Sequence, residues 1–198
     1  MSLLLNHRYA LILGFVLTAL MAVAIGGFEI NQLAMARWLH IVAGIFWVGL
    51  LYYFNVVQIP ALASAAADSS GPGGAGISKY VAPRALFWFR WTALATWLAG
   101  AWLLGSGFMH AFTLGMRIEG GSLYFLTIGI GVWLGTIMFL NVWLVIWPNQ
   151  KKILGLTAAT DEARAAARKT ALIASRVNFV LSIPMLACMA GATHGLPF

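Results

Sequence analysis

The chain has 198 residues, of which 62% are hydrophobic and only 9% are charged, and its formal net charge is +7. A soluble domain carries about 25% charged residues, so this composition excludes an ordinary soluble globular protein. Several apolar stretches instead reach the ~20 residues that a helix needs to cross a bilayer.

Five membrane spans are predicted along the chain. They cover about residues 9–27, 36–59, 85–109, 122–147 and 170–194. Because backbone groups must be paired within lipid and these runs show no strict alternation, the spans are expected to be helices. The predicted fold is an all-α, polytopic transmembrane helix bundle that forms a single domain over residues 1–198.

Ten of the twelve basic residues fall on one side of this five-span arrangement, and only Arg37 and Arg117 fall on the other. The positive-inside rule then places the N-terminus and the loops 61–84 and 148–169 in the cytoplasm, and the C-terminus in the periplasm. The predicted location is the bacterial inner membrane, in contact with lipid. Since topology accounts for the basic charge, no nucleic acid partner is expected.

Local signals refine the helices. Thr160 can cap a helix that begins near residue 161, and Pro83 suits the start of the third span. Pro184 is expected to bend the last helix. Gly131 and Gly135 form a small-xxx-small face, which predicts close packing against another helix.

Three of the four histidines are predicted to share one depth near the outer surface. With arginines near the span ends as interface markers and a rise of ~1.5 Å per residue, His40 lies ~5 Å inside the outer face. By the same count, His110 and His194 have risen ~27–30 Å from the inner face. Three helices therefore place a histidine at about the same level.

Each of these histidines has a glycine one turn toward the membrane interior, namely Gly44, Gly107 and Gly191. Small residues beside an imidazole let a flat macrocycle approach the helix, and Arg37 or Arg117 could pair with haem propionates. The pattern predicts a b-type haem with His40 as an axial ligand. Histidines that merely meet interfacial water, or that bind copper or zinc, remain alternatives. The single cysteine excludes a covalent c-type haem.

A second polar group lies toward the cytoplasmic face and consists of Asn55, Gln58, Arg90, Asn141, Arg176 and Asn178. Polar side chains within spans usually face the bundle interior or a cavity. One interpretation is a pocket for an anionic or quinone-like molecule, formed by Arg90, Asn141, Arg176, Asn178 and Asn55. The other is hydrogen bonding between helices, with arginines that reach the interface. No catalytic residue is assigned.

Four segments resemble the membrane domain of bacterial cytochrome c-linked urate hydroxylase, a urate oxidase type. They are RWLHIVAGIFWVGLLYYF (37–54), WFRWTALATWLAG (88–100), NVWLVIWPNQKKI (141–153) and ASRVNFVLSIPML (174–186) with the later His194. The His-x6-Trp-x-Gly pattern is also similar to a segment of the haem-binding membrane protoporphyrinogen oxidases.

The resemblance implies a helical membrane domain that passes electrons to a cytochrome c, with urate as the proposed substrate. The matching positions are His40, Trp47, Gly49, Arg90, Trp91, Asn141, Pro148, Asn149, Gln150, Arg176, Asn178, Pro184 and His194. His110 lies outside the matching segments, so His40 and His194 are the expected ligands of the haem iron, and His110 is the alternative. Family members have a longer membrane domain and a cytochrome c domain after it. With no CxxCH motif here, the cytochrome is expected to be a separate chain.

Three functions follow as hypotheses. The first is an electron-transfer subunit that binds b-type haem near the periplasmic face and passes electrons to a periplasmic cytochrome c. The second is a non-catalytic scaffold or accessory subunit of a larger respiratory, photosynthetic or oxygenase complex. The third is urate hydroxylation, an oxidoreductase activity, with Arg90, Arg176 and Asn178 binding the urate anion.

Overall fold

A computed structural model describes residues 2–27 and 29–196, and these form helices joined by turns, with no strand among them. Five helices in this part of the chain are long and apolar enough to cross a membrane. They are α1 (His7–Gly26), α2 (Gln32–Ala67), α3 (Ile77–Phe112), α4 (Leu123–Ile153) and α5 (Asp161–His194). The prediction of an all-α chain with five such helices is therefore confirmed.

Four of the helices are longer than the predicted spans. Helices α2 and α3 leave only residues 68–76 between them, and α4 and α5 leave only residues 154–160. The reason is that apolar composition marks the part of a helix suited to lipid, whereas helical hydrogen bonding continues into polar sequence. The predicted start of the last helix is confirmed, because the Thr160 hydroxyl accepts a hydrogen bond from the Ala163 N–H at 3.2 Å.

The turn after α2 is closed by Asp68. Its carboxylate accepts hydrogen bonds from the Ser70 hydroxyl at 2.8 Å and from the Ser70 N–H at 3.0 Å. These donors favour the charged form, and so they hold the pKa of Asp68 below its usual range. The short turn is thus fixed by local hydrogen bonds.

The described residues 2–27 and 29–35 belong to one compact unit. In it, the Asn6 side chain caps α1 by accepting a hydrogen bond from the Arg8 N–H at 3.0 Å. No residue of α1 is buried. A helix that is apolar on every face is suited to lipid contact rather than to water.

Residues 36–196 make up the described part of the second unit, whose core is built from four helices. Its buried apolar residues are Trp47, Leu51 and Phe54 of α2, Leu86, Phe89 and Ala93 of α3, Met138, Val142 and Ile146 of α4, and Ala174 and Met185 of α5. Aromatic pairs connect the helices within this core: Phe54 meets Phe89 edge to face, with ring centroids 5.4 Å apart.

Glycines bring α4 close to its neighbours. A Cβ added at Gly131 would lie 3.1 Å from the Cβ of Cys188, and one added at Gly135 would lie 4.0 Å from Met185. A Cβ at Gly129 would collide with the backbone carbonyl of Ala111 at the end of α3. The predicted small-xxx-small face is therefore confirmed, and it faces α5.

Three turns of π-helix interrupt the α-helical pattern, at Tyr53–Gln58, Ile77–Val81 and Val142–Ile146. Each ends two residues before a proline, namely Pro60, Pro83 and Pro148. Proline has no N–H and its ring clashes with the carbonyl four residues back. In each case the residue just before the proline donates its N–H to the carbonyl five residues back, which widens the turn. Pro83 thus lies inside a helix that has already begun.

Helix α3 also has a break. Its straight α-helical part, Ala82–Leu104, ends at Gly105, which adopts φ 49° and ψ −123°. Only glycine adopts this conformation easily. A 3₁₀ turn at Gly105–Gly107 and a short helix at Phe108–Phe112 follow, so His110 lies beyond the break.

Candidate functional site

His40 lies on α2 and contacts α3. Its Nδ1 is 2.8 Å from the backbone carbonyl oxygen of Thr96. A carbonyl only accepts hydrogen bonds, so the hydrogen must lie on Nδ1, and in the neutral ring Nε2 then carries the lone pair. Such a bond fixes both the tautomer and the ring orientation, as it does for histidines that bind metals.

Gly100 makes room for the His40 ring. A Cβ added at Gly100 would lie 2.8 Å from Cε1 and 2.9 Å from Nδ1 of His40. Distances this short are not tolerated between real atoms, so any larger residue at position 100 would displace the imidazole. Thr96 and Gly100 are one turn apart on α3, and both lie at the Nδ1 edge of the ring.

The face of α2 that carries His40 is packed against the same part of α3. A Cβ at Gly44 would be 3.7 Å from the Thr96 methyl group. Gly44 therefore lies at the contact between α2 and α3, where an added methyl group would make ordinary van der Waals contact with Thr96. Seven residues after His40, Trp47 is 3% exposed, and its buried indole Nε1 has no hydrogen-bond partner among the described residues. A buried indole N–H usually has one.

The other two histidines of the predicted haem site have different surroundings from those of His40. His110 stacks at a tilt on Phe125 of α4, with ring centroids 5.3 Å apart, and its buried Nδ1 has no partner in the described chain. His194 is exposed at the last residue of α5. His40 lies beside the straight part of α3, whereas His110 follows the break at Gly105.

The remaining residues of the predicted haem site have other neighbours. A Cβ at Gly107 would meet the Phe125 ring at 3.0 Å, and one at Gly191 would meet the Leu196 side chain at 2.6 Å. Arg37 is exposed. Within the described residues no three His, Cys, Asp or Glu side chains gather as a metal site, so the three-histidine copper or zinc arrangement does not form in this part of the chain.

The buried amides form a polar seam between helices. Asn141 donates from Nδ2 to the Asn178 Oδ1 at 2.7 Å and to the Ala174 carbonyl at 2.9 Å. Asn178, which is fully buried, donates to the Met138 carbonyl at 3.0 Å. These bonds join α4 to α5, as the interhelical interpretation of the polar group predicts.

The seam continues onto α2. Asn55 donates to the Leu51 carbonyl at 2.8 Å and to the Ser175 hydroxyl at 2.9 Å. Its Oδ1 and the Oε1 of Gln58 are buried and have no donor among the described groups. The π turn that contains both residues therefore leaves two acceptors open.

Among the described residues, neither arginine of the second polar group is hydrogen-bonded to the amides of this seam. Arg90 lies over the Trp147 ring, with its guanidinium carbon 3.9 Å from the ring centroid, and is held there by cation–π attraction. Arg176 is exposed, and two residues along α5 Asn178 is fully buried, so they lie on different faces. Of the residues of the predicted substrate pocket, Asn141 and Asn178 are thus bonded to each other in the seam, while Arg176 lies on another face of α5.

Comparison with known proteins adds one finding. Residues 122–198 match the sequence model of a family described as urate oxidase N-terminal. This segment of the chain is urate oxidase N-terminal-like. The resemblance seen in the motifs is thus confirmed over α4 and α5, which include Asn141, Arg176 and Asn178. The similarity to protoporphyrinogen oxidases remains a prediction, and no curated protein or solved structure matches the chain.

The sequence pointed to His40 but not to the residues that hold it. Thr96 contributes through its backbone carbonyl, which carries no side-chain signal, and Gly100 is one of 21 glycines. Both lie within the quoted segment WFRWTALATWLAG. A contact between residues 56 apart requires knowing how α2 and α3 face each other.

Proposed function

We propose that this protein is a multi-pass electron-transfer subunit of the bacterial inner membrane that binds a b-type haem through His40. Its N-terminus is cytoplasmic and its C-terminus periplasmic, and it passes electrons to a separate periplasmic cytochrome c. The five long apolar helices and the urate oxidase N-terminal-like segment support this proposal.

The observation that carries the proposal is the hydrogen bond from His40 Nδ1 to the Thr96 carbonyl. It holds the ring in the tautomer that offers Nε2 as a ligand, and Gly100 leaves the space that the ring occupies. The residues around His40 therefore fit an axial ligand. A bound haem supplies reversible one-electron exchange at its iron, while the protein supplies the ligand, its orientation and an apolar surrounding.

His194 is the proposed second ligand and His110 the alternative. If His40 and His194 bind one iron, their nitrogens lie ~4 Å apart, about twice a metal–nitrogen bond of ~2.0–2.1 Å. Arg37 is proposed to lie near the propionates, and Gly44 and Gly191 beside the macrocycle. His110 is supported by its buried, unpartnered Nδ1.

An absorption spectrum of the purified protein tests the proposal. The wild-type protein in mild detergent should show a reduced α-band, and His40→Ala should lose it. His7→Ala is the matched control, because His7 begins α1 on the proposed cytoplasmic side. Of His194→Ala and His110→Ala, the one that loses the band identifies the second ligand. A wild-type protein that carries no haem after expression with ample haem supply overturns the proposal.

A scaffold or accessory subunit is the second candidate function, and the polar seam favours it. Asn141 and Asn178 bond to each other and to helix backbone, as expected for residues that fix helix packing. Affinity purification from native membranes would then give a stoichiometric complex in which this chain carries no cofactor. Urate binding by Arg176 and Asn178 together is not proposed, because they lie on different faces of α5.

A further inference from the structure

A groove open to the surroundings lies beside α5, near its proposed cytoplasmic interface. It has a volume of about 490 Å³ and is lined by Ile59 of α2 and by Leu172, Ile173, Arg176, Val177, Val180 and Leu181 of α5. This volume lies within the range of about 300–1,000 Å³ typical of ligand clefts. Every lining residue except Arg176 is aliphatic.

Arg176 is the only charged group in the groove lining, and it is exposed. Its guanidinium makes no hydrogen bond or ion pair with any described residue. The nearest cation along the same face of α5 is Lys169, seven residues earlier and also exposed. Seven residues span two helical turns, or ~10.5 Å. Two aliphatic lining residues, Leu172 and Ile173, lie between the two cations along the helix.

The order of residues along this face suits one kind of ligand. Lys169 and Arg176 lie toward the start of α5, and Val177, Val180 and Leu181 follow toward its middle. From Arg176 inward, a phospholipid has the same order, with an anionic phosphate near the interface and an aliphatic chain toward the membrane interior. Basic pockets between helices on the cytoplasmic side recognise anionic headgroups, and arginine binds phosphate through charge-assisted hydrogen bonds.

We propose that this groove binds one anionic phospholipid, with Arg176 and Lys169 at the phosphate and an acyl chain along Val177, Val180 and Ile59. The inference rests on the membrane location proposed above, and it does not depend on haem. The site therefore selects lipid by charge rather than serving as general lipid-exposed surface.

Native mass spectrometry of the detergent-purified protein tests the proposal with phosphatidylglycerol and phosphatidylethanolamine of the same acyl chains. The wild-type protein should retain one molecule of phosphatidylglycerol at least tenfold more strongly than phosphatidylethanolamine. Arg176→Gln should reduce this preference five- to tenfold, and Lys169→Gln about fivefold. Val180→Trp should weaken both lipids by filling the groove. Size-exclusion chromatography establishes that each variant is folded and of unchanged mass.

Arg84→Gln is the matched control. Arg84 is an exposed arginine of α3 that bonds to the Tyr80 carbonyl at 2.6 Å, so its loss should leave the preference unchanged. An Arg176→Gln protein that keeps the wild-type preference for phosphatidylglycerol overturns the proposal. Displacement of the lipid by inorganic phosphate also overturns it, and so does a change of oligomeric mass in the Arg176→Gln protein. The haem α-band of the same samples keeps the two proposals separable, since lipid preference in a haem-free protein supports this one alone.

Discussion

At His40, one hydrogen bond decides which ring nitrogen is available. The Thr96 carbonyl takes the Nδ1 hydrogen, and so Nε2 carries the lone pair. This arrangement depends on backbone atoms and on a glycine, rather than on a polar side chain. A conservative change of the Thr96 side chain would leave the carbonyl in place, whereas a single methyl group at Gly100 would meet the ring.

Gly100→Ala is therefore expected to displace the His40 ring. The added Cβ would come within 2.8 Å of Cε1, and overpacking of this kind typically costs about 1–3 kcal/mol. We expect a lower midpoint of unfolding in SDS titration and, if haem is bound, a loss or shift of the reduced α-band. Gly49→Ala is the control, because its added Cβ would meet no atom of another helix within 4 Å. Equal behaviour of the two variants would contradict the assigned contact.

The sequence singles out His40 as a candidate because its residue type and its position in an apolar run are visible there. Its supporting residues were not, since the carbonyl of Thr96 is common to all residue types and Gly100 gains its role only from the packing of α2 on α3. The same holds for Arg176 and Asn178. They are close in sequence and were grouped together, but the helical rotation separates an exposed side chain from a buried one.

At the scale of helices, two features hold α4 against α5: the close packing at the glycine face and the hydrogen bonds of the amide seam. Gly131 lies nearest to α5, and Asn141 and Asn178 form the hydrogen bond between the two helices. The glycine face was predictable from its four-residue spacing. The pairing of the amides was not, since spacing along one helix does not identify the partner helix.

Alanine substitutions at the two glycines should have unequal effects. Gly131→Ala brings a Cβ to 3.1 Å from Cys188, so we expect a loss of stability of about 1–3 kcal/mol. Gly135→Ala makes ordinary contact at 4.0 Å and should be neutral or stabilising by up to about 1 kcal/mol, because alanine favours helix. SDS unfolding measures both. A Gly135→Ala protein less stable than Gly131→Ala would contradict this packing.

Removal of the Asn178 amide should weaken the α4–α5 contact. Asn178→Leu leaves the Met138 carbonyl without its side-chain donor, at an expected cost of about 1–3 kcal/mol. A double-mutant cycle with Asn141→Leu should give a coupling of about 0.6–1.7 kcal/mol. Asn149→Leu is the control, because Asn149 bonds only within its own helix, to the Val145 carbonyl at 2.8 Å. A coupling near zero would show that the seam does not stabilise the contact.

At the scale of the whole chain, the composition was enough to predict an all-helical protein with five long apolar helices. The helix ends were less predictable, since hydropathy does not register the helical turns beyond lipid. The short connections at residues 68–76, 113–122 and 154–160 join successive helices. The distribution of basic residues predicts that the first and third lie in the cytoplasm and the second in the periplasm.

Single cysteines in these connections test the predicted topology. In a Cys188→Ala background, Glu119→Cys should react with a membrane-impermeant maleimide added to spheroplasts. Ser69→Cys and Thr157→Cys should react only after the membrane is permeabilised, since all three positions are exposed and the predicted topology puts these two on the cytoplasmic side. The reverse pattern of labelling would invert the topology and place the proposed lipid groove at the periplasmic interface.

The π turns before Pro60, Pro83 and Pro148 also affect how this chain should be compared with its relatives. A π turn holds one more residue than the α-helical turn that it replaces. Compared with the same sequence in a continuous α-helix, all later side chains are therefore rotated by about 100°. A related protein that lacks one of these prolines is expected to be one residue shorter at that point, with the same buried face on either side. A one-residue alignment gap at 53–58 or 142–146 would thus indicate the loss of a π turn rather than a change in helix packing.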